Sequence, residues 1–183
     1  MSDSLPPSPG IRSLWKRLAT GPALAFAIVL IDPATAAELK PWTGGKTPAL
    51  SLKDLNGATV DLANYRGKVV LINFWATWCE PCRNEMPSMQ ELKRKLAGRP
   101  FEIVAINLAE SENKVSDYLR RFPLDFAIAL DRNSAARRDW GVKVLPTSFV
   151  VAADGSVRYS VVGELDWADE FKAIALTRLV PKQ

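Results

Sequence analysis

Residues 69–92 read VVLINFWATWCEPCRNEMPSMQEL, and the fold is decided there. Val69 to Trp75 is a near-continuous apolar run dense in β-branched and aromatic side chains. Such a run suits a strand buried on both faces, at the centre of a sheet. A helix is expected from about Pro81 to Leu96, because Met86, Met89, Leu92 and Leu96 recur at helical spacing on one face. Where strand turns into helix stand Cys79 and Cys82, the only two cysteines of the chain. A helix N-terminus presents unpaired N–H groups and the positive end of the dipole, which favour a thiolate. Cys79 is therefore expected as the partly exposed attacking thiol, and Cys82, one turn in, as the more buried resolving thiol. Pro81 lacks an N–H that the first turn would leave unsatisfied anyway, and it stiffens the turn between the sulfurs.

Two other uses of the cysteines are weaker. A structural bridge closing so short a loop removes little entropy from the unfolded chain. A metal site needs more ligands, and there is no third cysteine and no histidine in the 183 residues. The missing histidine also excludes a Ser-His-Asp triad, a Cys-His pair and the C-x-x-C-H haem-attachment motif. No metal and no cofactor is expected beyond a redox-active Cys79–Cys82 disulfide. Composition is that of an ordinary globular protein, 48% hydrophobic and 24% charged, with a net charge of +4. So small a surplus gives no electrostatic footprint for nucleic acid.

Outward from the cysteines, Phe101 to Asn107 reads as the next strand. Val115, Tyr118, Leu119 and Phe122 mark an amphipathic helix ended by Pro123. Phe126 to Leu130 is a short strand, and Ser134 to Trp140 a short helix stopped by Gly141. Thr147 to Ala152 and Val157 to Val162 are strands joined by a turn at Ala153-Asp154-Gly155-Ser156. Asp166 is expected to cap a last helix that buries Trp167, Phe171, Ile174 and Leu179. Upstream, Asn56-Gly57 joins two extended segments within residues 49–61 into a hairpin. The whole predicts an α/β domain over residues 49–181, a three-layer sandwich with a mixed central sheet and an N-terminal β-hairpin extension.

Residues 37–48 contain Pro41, Gly44, Gly45 and Pro48 and read as a linker. Residues 1–36 read as a targeting segment. Arg12, Lys16 and Arg17 precede an apolar run from Leu18 to Ile31, followed by Ala34-Thr35-Ala36 as a cleavage pattern. The run is short for a bilayer span, so a cleaved signal peptide and a retained N-terminal membrane anchor both stay open. Either places the domain in the periplasm or an equivalent extracytoplasmic space, where disulfides persist.

The strand, the C-x-x-C and the helix together closely resemble the active-site region of thioredoxin-like thiol–disulfide oxidoreductases of the TlpA/ResA type. The resemblance extends to Pro87 in the active-site helix, to Leu145-Pro146-Thr147-Ser148-Phe149 as the cis-proline segment, and to Gly163 with the helix near Trp167. It implies a cis bond at Pro146, with the Leu145 backbone placed to pair with a bound substrate. Ordinary thioredoxins carry a buried Asp six residues before the first cysteine. Asn73 stands there in this chain and cannot titrate. The resemblance instead implies Glu85, three residues after Cys82, as the carboxylate that accepts the Cys82 proton or tunes the thiols; partial burial would raise its pKa. A solvated Glu85 paired with a surface cation is the other reading. Trp75 and Trp78 are expected to wall the site, and substrate choice to lie in Trp78, Glu80, Pro81 and Leu145.

For function, the resemblance implies an exported reductant of disulfides in selected partners, and a monomer is expected, although the residues do not set the oligomeric state. Those partners are apocytochrome c before haem attachment, or a protein assembling the copper site of cytochrome oxidase. A membrane thiol transporter of the DsbD/CcdA kind would supply electrons. The residues do not set the direction: a strongly stabilised Cys79 thiolate makes an oxidising disulfide donor, a milder one a reductant. A scaffold whose cysteines are a static clasp is a further alternative. A thiol peroxidase ranks last, because the residues before Cys79 lack the P-x-x-x-[ST]-x-x-C arrangement.

Overall fold

The computed structural model describes residues 37–181; the predicted targeting segment, residues 1–36, lies outside them. Eight strands form one mixed sheet. They are β1 (Lys40–Pro41), β2 (Ser51–Asp54), β3 (Thr59–Asp61), β4 (Val69–Trp75), β5 (Phe101–Leu108), β6 (Ala127–Asp131), β7 (Thr147–Val151) and β8 (Val157–Val162). Their spatial order is β1-β8-β7-β4-β5-β6-β2-β3. The helices are α1 (Glu80–Lys95), α2 (Glu112–Arg121), α3 (Ala135–Asp139) and α4 (Glu170–Leu179), with a 3-10 turn at Leu62–Tyr65.

All seven residues of β4 are buried, as a central strand requires. It runs parallel to β5 and antiparallel to β7, with Asn73 opposite Ala105 on one side and Ser148 on the other. Alternate residues of β4 feed two cores. Val69, Leu71 and Trp75 join Met86, Met89 and Leu92 of α1, Val115 of α2, Trp167 and Leu176 of α4. Val70, Ile72 and Phe74 face Trp140, Phe149 and Ala136 on the other side. The sheet with helices on both faces is the expected three-layer sandwich, and the fold is thioredoxin-like.

Most element boundaries fall within a residue or two of those expected. At the hairpin, Gly57 takes φ 78° and Asp54 Oδ1 accepts from the N–H groups of Asn56 and Ala58, the Asx chemistry of such turns.

Three expectations are corrected. The segment read as a linker carries β1, which adds to the sheet edge at β8. Trp42 there packs edge-on against Phe149 at 5.5 Å, and Thr47 Oγ1 accepts from Val157 N–H. Asp166 does not cap the last helix: its carboxylate accepts from Ala168 N–H, whereas Asp169 caps α4 by accepting from Lys172 N–H. With α4 starting three residues later, its apolar face rotates. Ile174 is exposed and Leu176 is fully buried, while Trp167 is buried just ahead of the helix.

Candidate active site

Cys79 and Cys82 form a disulfide with an S–S length of 2.04 Å. The chain leaves the buried end of β4 at Trp75, turns through residues 76–78, and enters α1 with Cys79 at the N-cap. Cys79 Sγ accepts from Cys82 N–H at 3.3 Å, and Arg83 N–H reaches the Cys79 carbonyl at 3.2 Å. The sulfur thus sits where the helix offers free N–H groups, the arrangement that favours a thiolate. Cys79 retains 5% exposure and Cys82 none. The order matches the expected division of labour, although Cys79 is more covered than expected.

A groove of about 740 Å³ opens beside the disulfide. Trp78, Cys79, Pro81, Val144 and Leu145 give it apolar lining, and Glu80, Glu110, Lys114, Arg137 and Lys143 line it with charge. The Leu145–Pro146 bond is cis. Leu145 faces the groove, while Pro146 is buried behind it with its carbonyl accepting from Gly163 N–H. The two tryptophans part company: Trp78 is 64% exposed at the groove, whereas Trp75 is wholly buried against Tyr118. Trp75 therefore belongs to the core beneath the site and does not wall it.

Glu85 lies one turn beyond Cys82 on the buried side of α1. Its Oε1 accepts from Asn73 Nδ2 at 2.6 Å. Its Oε2 accepts from Leu165 N–H at 3.2 Å and Trp167 Nε1–H at 3.3 Å. Burial penalises the charge more than these three neutral donors and their geometry repay, and nearby Glu164 adds repulsion, so the pKa is raised to about 7. Among the described residues no cation bonds to it, and the residue is buried, so the solvated, cation-paired alternative does not describe it. Met86 and Met89 are core side chains beside it.

A second carboxylate was not picked out from the sequence. Beyond β5, Ala109 takes a left-handed φ of 53°, unusual for a residue with a Cβ. Glu110, next in the chain, then reaches the active-site turn. Its Oε2 accepts from Thr77 N–H at 2.6 Å and Asn107 Nδ2 at 2.9 Å. Its Oε1 accepts from Thr77 Oγ1 at 2.7 Å and pairs with Lys114 Nζ at 2.7 Å. Burial opposes the charge, but the bonds from Lys114, Thr77 and Asn107 together outweigh it and hold the carboxyl below its usual range. Glu110 thus pins Thr77, two residues before Cys79. The available signal was a pair of polar residues, Asn107 and Glu110, at the carboxyl end of a parallel strand, where sites on such sheets gather.

Comparison with known proteins agrees with this geometry. The Redoxin family profile matches residues 43–175. The chain is 37% identical over 140 residues to the thiol-disulfide oxidoreductase ResA of Bacillus cereus, covering 76% of this chain and 81% of that protein. It is 34% identical to ResA of Bacillus subtilis over 122 residues, covering 67% of this chain and 68% of that one. Among solved structures, a thiol:disulfide interchange protein of the thioredoxin family from Chlorobium tepidum superposes with a TM-score of 0.64 at 30% identity, covering 78% of this chain and 98% of that one. A C-x-x-C at the head of a helix, on this sheet and with these relatives, has one reading: the chain belongs to the Redoxin family, as a thiol–disulfide oxidoreductase of the ResA kind.

Proposed function

We propose that the protein is an exported reductant of disulfides in selected extracytoplasmic proteins. The observation that carries this reading is the position of Cys79 Sγ, at the N-cap of α1 and on the wall of an open groove, with Cys82 behind it. In the reduced enzyme the Cys79 thiolate attacks one sulfur of the partner's disulfide. That S–S bond breaks, and the partner's second sulfur leaves as a thiolate. Cys82 then attacks Cys79 Sγ, closing the enzyme disulfide and releasing the partner as a dithiol, so two electrons pass to the partner. Glu85 accepts the proton that Cys82 loses, a role supported by its burial on the same helix and a pKa near 7. Trp78, Glu80, Pro81 and Leu145 meet the partner, and Pro146 holds Leu145 in place.

The disulfide is the whole redox apparatus in this reading, with no bound cofactor. Electrons return from a membrane thiol donor of the DsbD/CcdA kind. The partners are apocytochrome c awaiting haem or a copper-site assembly protein of cytochrome oxidase, as the ResA relationship suggests. Export rests on the basic-then-apolar leader read in residues 1–36. Among the described residues no helix is long and apolar enough to cross a membrane. The catalytic unit is a monomer.

Two measurements test this. Equilibration in graded dithiol buffers, followed by alkylation and mass analysis, gives the Cys79/Cys82 potential. A value near about −270 mV supports a reductant, and one near about −120 mV makes the protein a disulfide donor. The Cys82→Ser variant should accumulate a mixed disulfide through Cys79 with a disulfide-bonded apocytochrome peptide. No adduct and no redox cycling would leave only a scaffold.

A further inference from the structure

We propose that Asn73 and Ser148 are positioning residues that switch their hydrogen bonds with the proton on Glu85, linking the helix that carries Cys82 to the strand that follows Pro146. The inference rests on the reading of Glu85 as proton acceptor.

Asn73 occupies the middle of β4, a strand otherwise wholly apolar, and is fully buried. A buried amide is costly unless its polar atoms are bonded. Only half of this one is: Nδ2 donates to Glu85 Oε1 at 2.6 Å and to Ser148 Oγ at 2.9 Å, while Oδ1 is buried without a partner.

Glu85 shows the complementary asymmetry. Its three bonds all come from donors: the Asn73 amide, Leu165 N–H and the Trp167 indole. That set suits a carboxylate. A protonated Glu85 needs an acceptor for its O–H, and neither a backbone N–H nor an indole N–H can accept. Of its three partners, Asn73 alone carries an oxygen on the group that touches it. A half-turn of the amide about its Cβ–Cγ bond exchanges Nδ2 and Oδ1. Oδ1 then accepts from Glu85 O–H and from Ser148 Oγ–H, since a serine hydroxyl can donate as readily as accept. Two bonds are given up and two are made. Because Oδ1 has no partner in the present arrangement, the turn breaks no bond to the oxygen.

A charged neighbour also bears on Glu85. Glu164, from the loop after β8, is the carboxylate that acts on it, and Asn84 holds Glu164 at 3.4 Å. Asn73 and Ser148, facing it from β4 and β7, are neutral. Ser148 sits two residues past Pro146 and directly opposite Asn73 in the β4–β7 ladder. When Cys82 gives its proton to Glu85, the only atom transferred is that proton, and the amide turns in response. The Ser148 hydroxyl changes from acceptor to donor, so the strand that begins beside Leu145 and Pro146 registers the proton state of the active-site helix.

The test is nuclear magnetic resonance on the full, disulfide-bonded chain, following the Glu85 carboxyl carbon and the Asn73 side-chain amide from pH 5 to 9. Both should titrate with one midpoint, and the Asn73 amide protons should lose their hydrogen-bonded shift on the acid side. Asn73→Leu removes the donor to the carboxylate and the acceptor to the acid. The charged form loses the stronger bond, so the Glu85 midpoint should rise by about one pH unit, a tenfold gain in proton affinity. A Glu85 that titrates beside an unmoving Asn73 amide overturns the switch and leaves the proton-acceptor role standing. Conversely, if the amide turns but, after reduction of the disulfide, the Cys82 thiol titrates identically in parent and Glu85→Gln, the switch survives and the proton-acceptor role falls. No titration of Glu85 anywhere in this range overturns both.

Discussion

Replacing Glu85 by glutamine should flatten the dependence of stability on pH. In the unfolded chain this carboxyl ionises near 4.5, and in the folded protein burial moves that to about 7. Between those values the unfolded state gives up a proton that the native state keeps, so native stability falls as pH rises. The contribution of the proton is fully present below pH 4.5 and is lost once the pH has passed about 7. At 1.36 kcal/mol per pH unit over that interval, the loss sums to about 3 kcal/mol, a large part of the margin of a domain this size. A glutamine keeps the shape and, with its oxygen, can still accept from Leu165 N–H and Trp167 Nε1–H. Its amide can donate to Asn73 Oδ1, which has no partner in the native protein. Urea unfolding of disulfide-bonded parent and Glu85→Gln, at half-unit steps from about pH 3 to 9, reads the difference. The parent should lose stability relative to the variant at up to about 1.4 kcal/mol per pH unit through the middle of the range. The curves should run parallel above about pH 8 and below about pH 4, where neither state titrates at this site. Parallel curves throughout would mean that Glu85 ionises alike folded and unfolded, and its place in proton transfer near neutral pH would go with it.

Glu110 should behave in the opposite sense. Its folded carboxyl ionises below the usual range, so its contribution is present above about pH 4.5 and is lost as acid carries the pH down through that lower folded value. Glu110→Ala would leave Thr77 N–H, the Thr77 hydroxyl and the Asn107 amide without their acceptor, at a cost of about 2–3 kcal/mol in urea unfolding at pH 7. Asp169→Ala should lose about 1 kcal/mol by removing the α4 cap, with Asp166→Ala losing clearly less in the same thermal scan. Phe149→Ala strips an aromatic ring packed on Trp42, Phe74 and Trp140 and should cost about 3–5 kcal/mol by denaturant titration.

What could be read in advance follows from the range of the forces involved. The β4 run, the α1 stripe and the C-x-x-C between them are local patterns, each set by residues within a turn or two of one another, and all reappear in place. Resemblance names Glu85 as proton acceptor, although its spacing also places it on the apolar stripe of α1 with Cys82, Met89 and Leu92, across the helix from Glu91. Its hydrogen-bond partners Leu165 and Trp167 lie some 80 positions further along the chain, where no local pattern points to them. Two misreadings also come from packing that local sequence does not show. Both Asp166 and Asp169 can cap a helix, and the choice is made by Trp167, which must be buried before the helix begins. Residues 37–48 look like a linker from their prolines and glycines. Trp42 and the edge of β8 make them part of the sheet, a contact with residues more than 100 positions away. Trp75 and Trp78 are separated by only two residues, yet one ends a buried strand and the other closes the turn before α1, exposed. The strand boundary decides between them, and composition does not.

Glu85 and Glu110 show how one fold gives two buried carboxylates different tasks beside the same disulfide. Each accepts from an asparagine on a central strand, Asn73 of β4 and Asn107 of β5, and each of those asparagines has a buried, unpartnered Oδ1. The difference lies in the remaining partners. Glu110 receives two further bonds from Thr77 and an ion pair from Lys114, which reaches it from one helical turn on. The charge is neutralised where it sits, so the group stays ionised through neutral pH and serves as a fixed anchor for the turn before Cys79. Glu85 receives only neutral donors and lies beneath the helix, with the Glu164 charge opposing its own. The dry surroundings therefore dominate, and its two protonation states come close to equal weight near neutral pH. A group that is to take a proton from Cys82 and later return it needs that balance, whereas a group that holds the loop must not titrate at all. Giving Glu85 a lysine partner of the Lys114 kind would hold it ionised and strengthen the native state at neutral pH, but would remove the proton exchange that the resolving step uses.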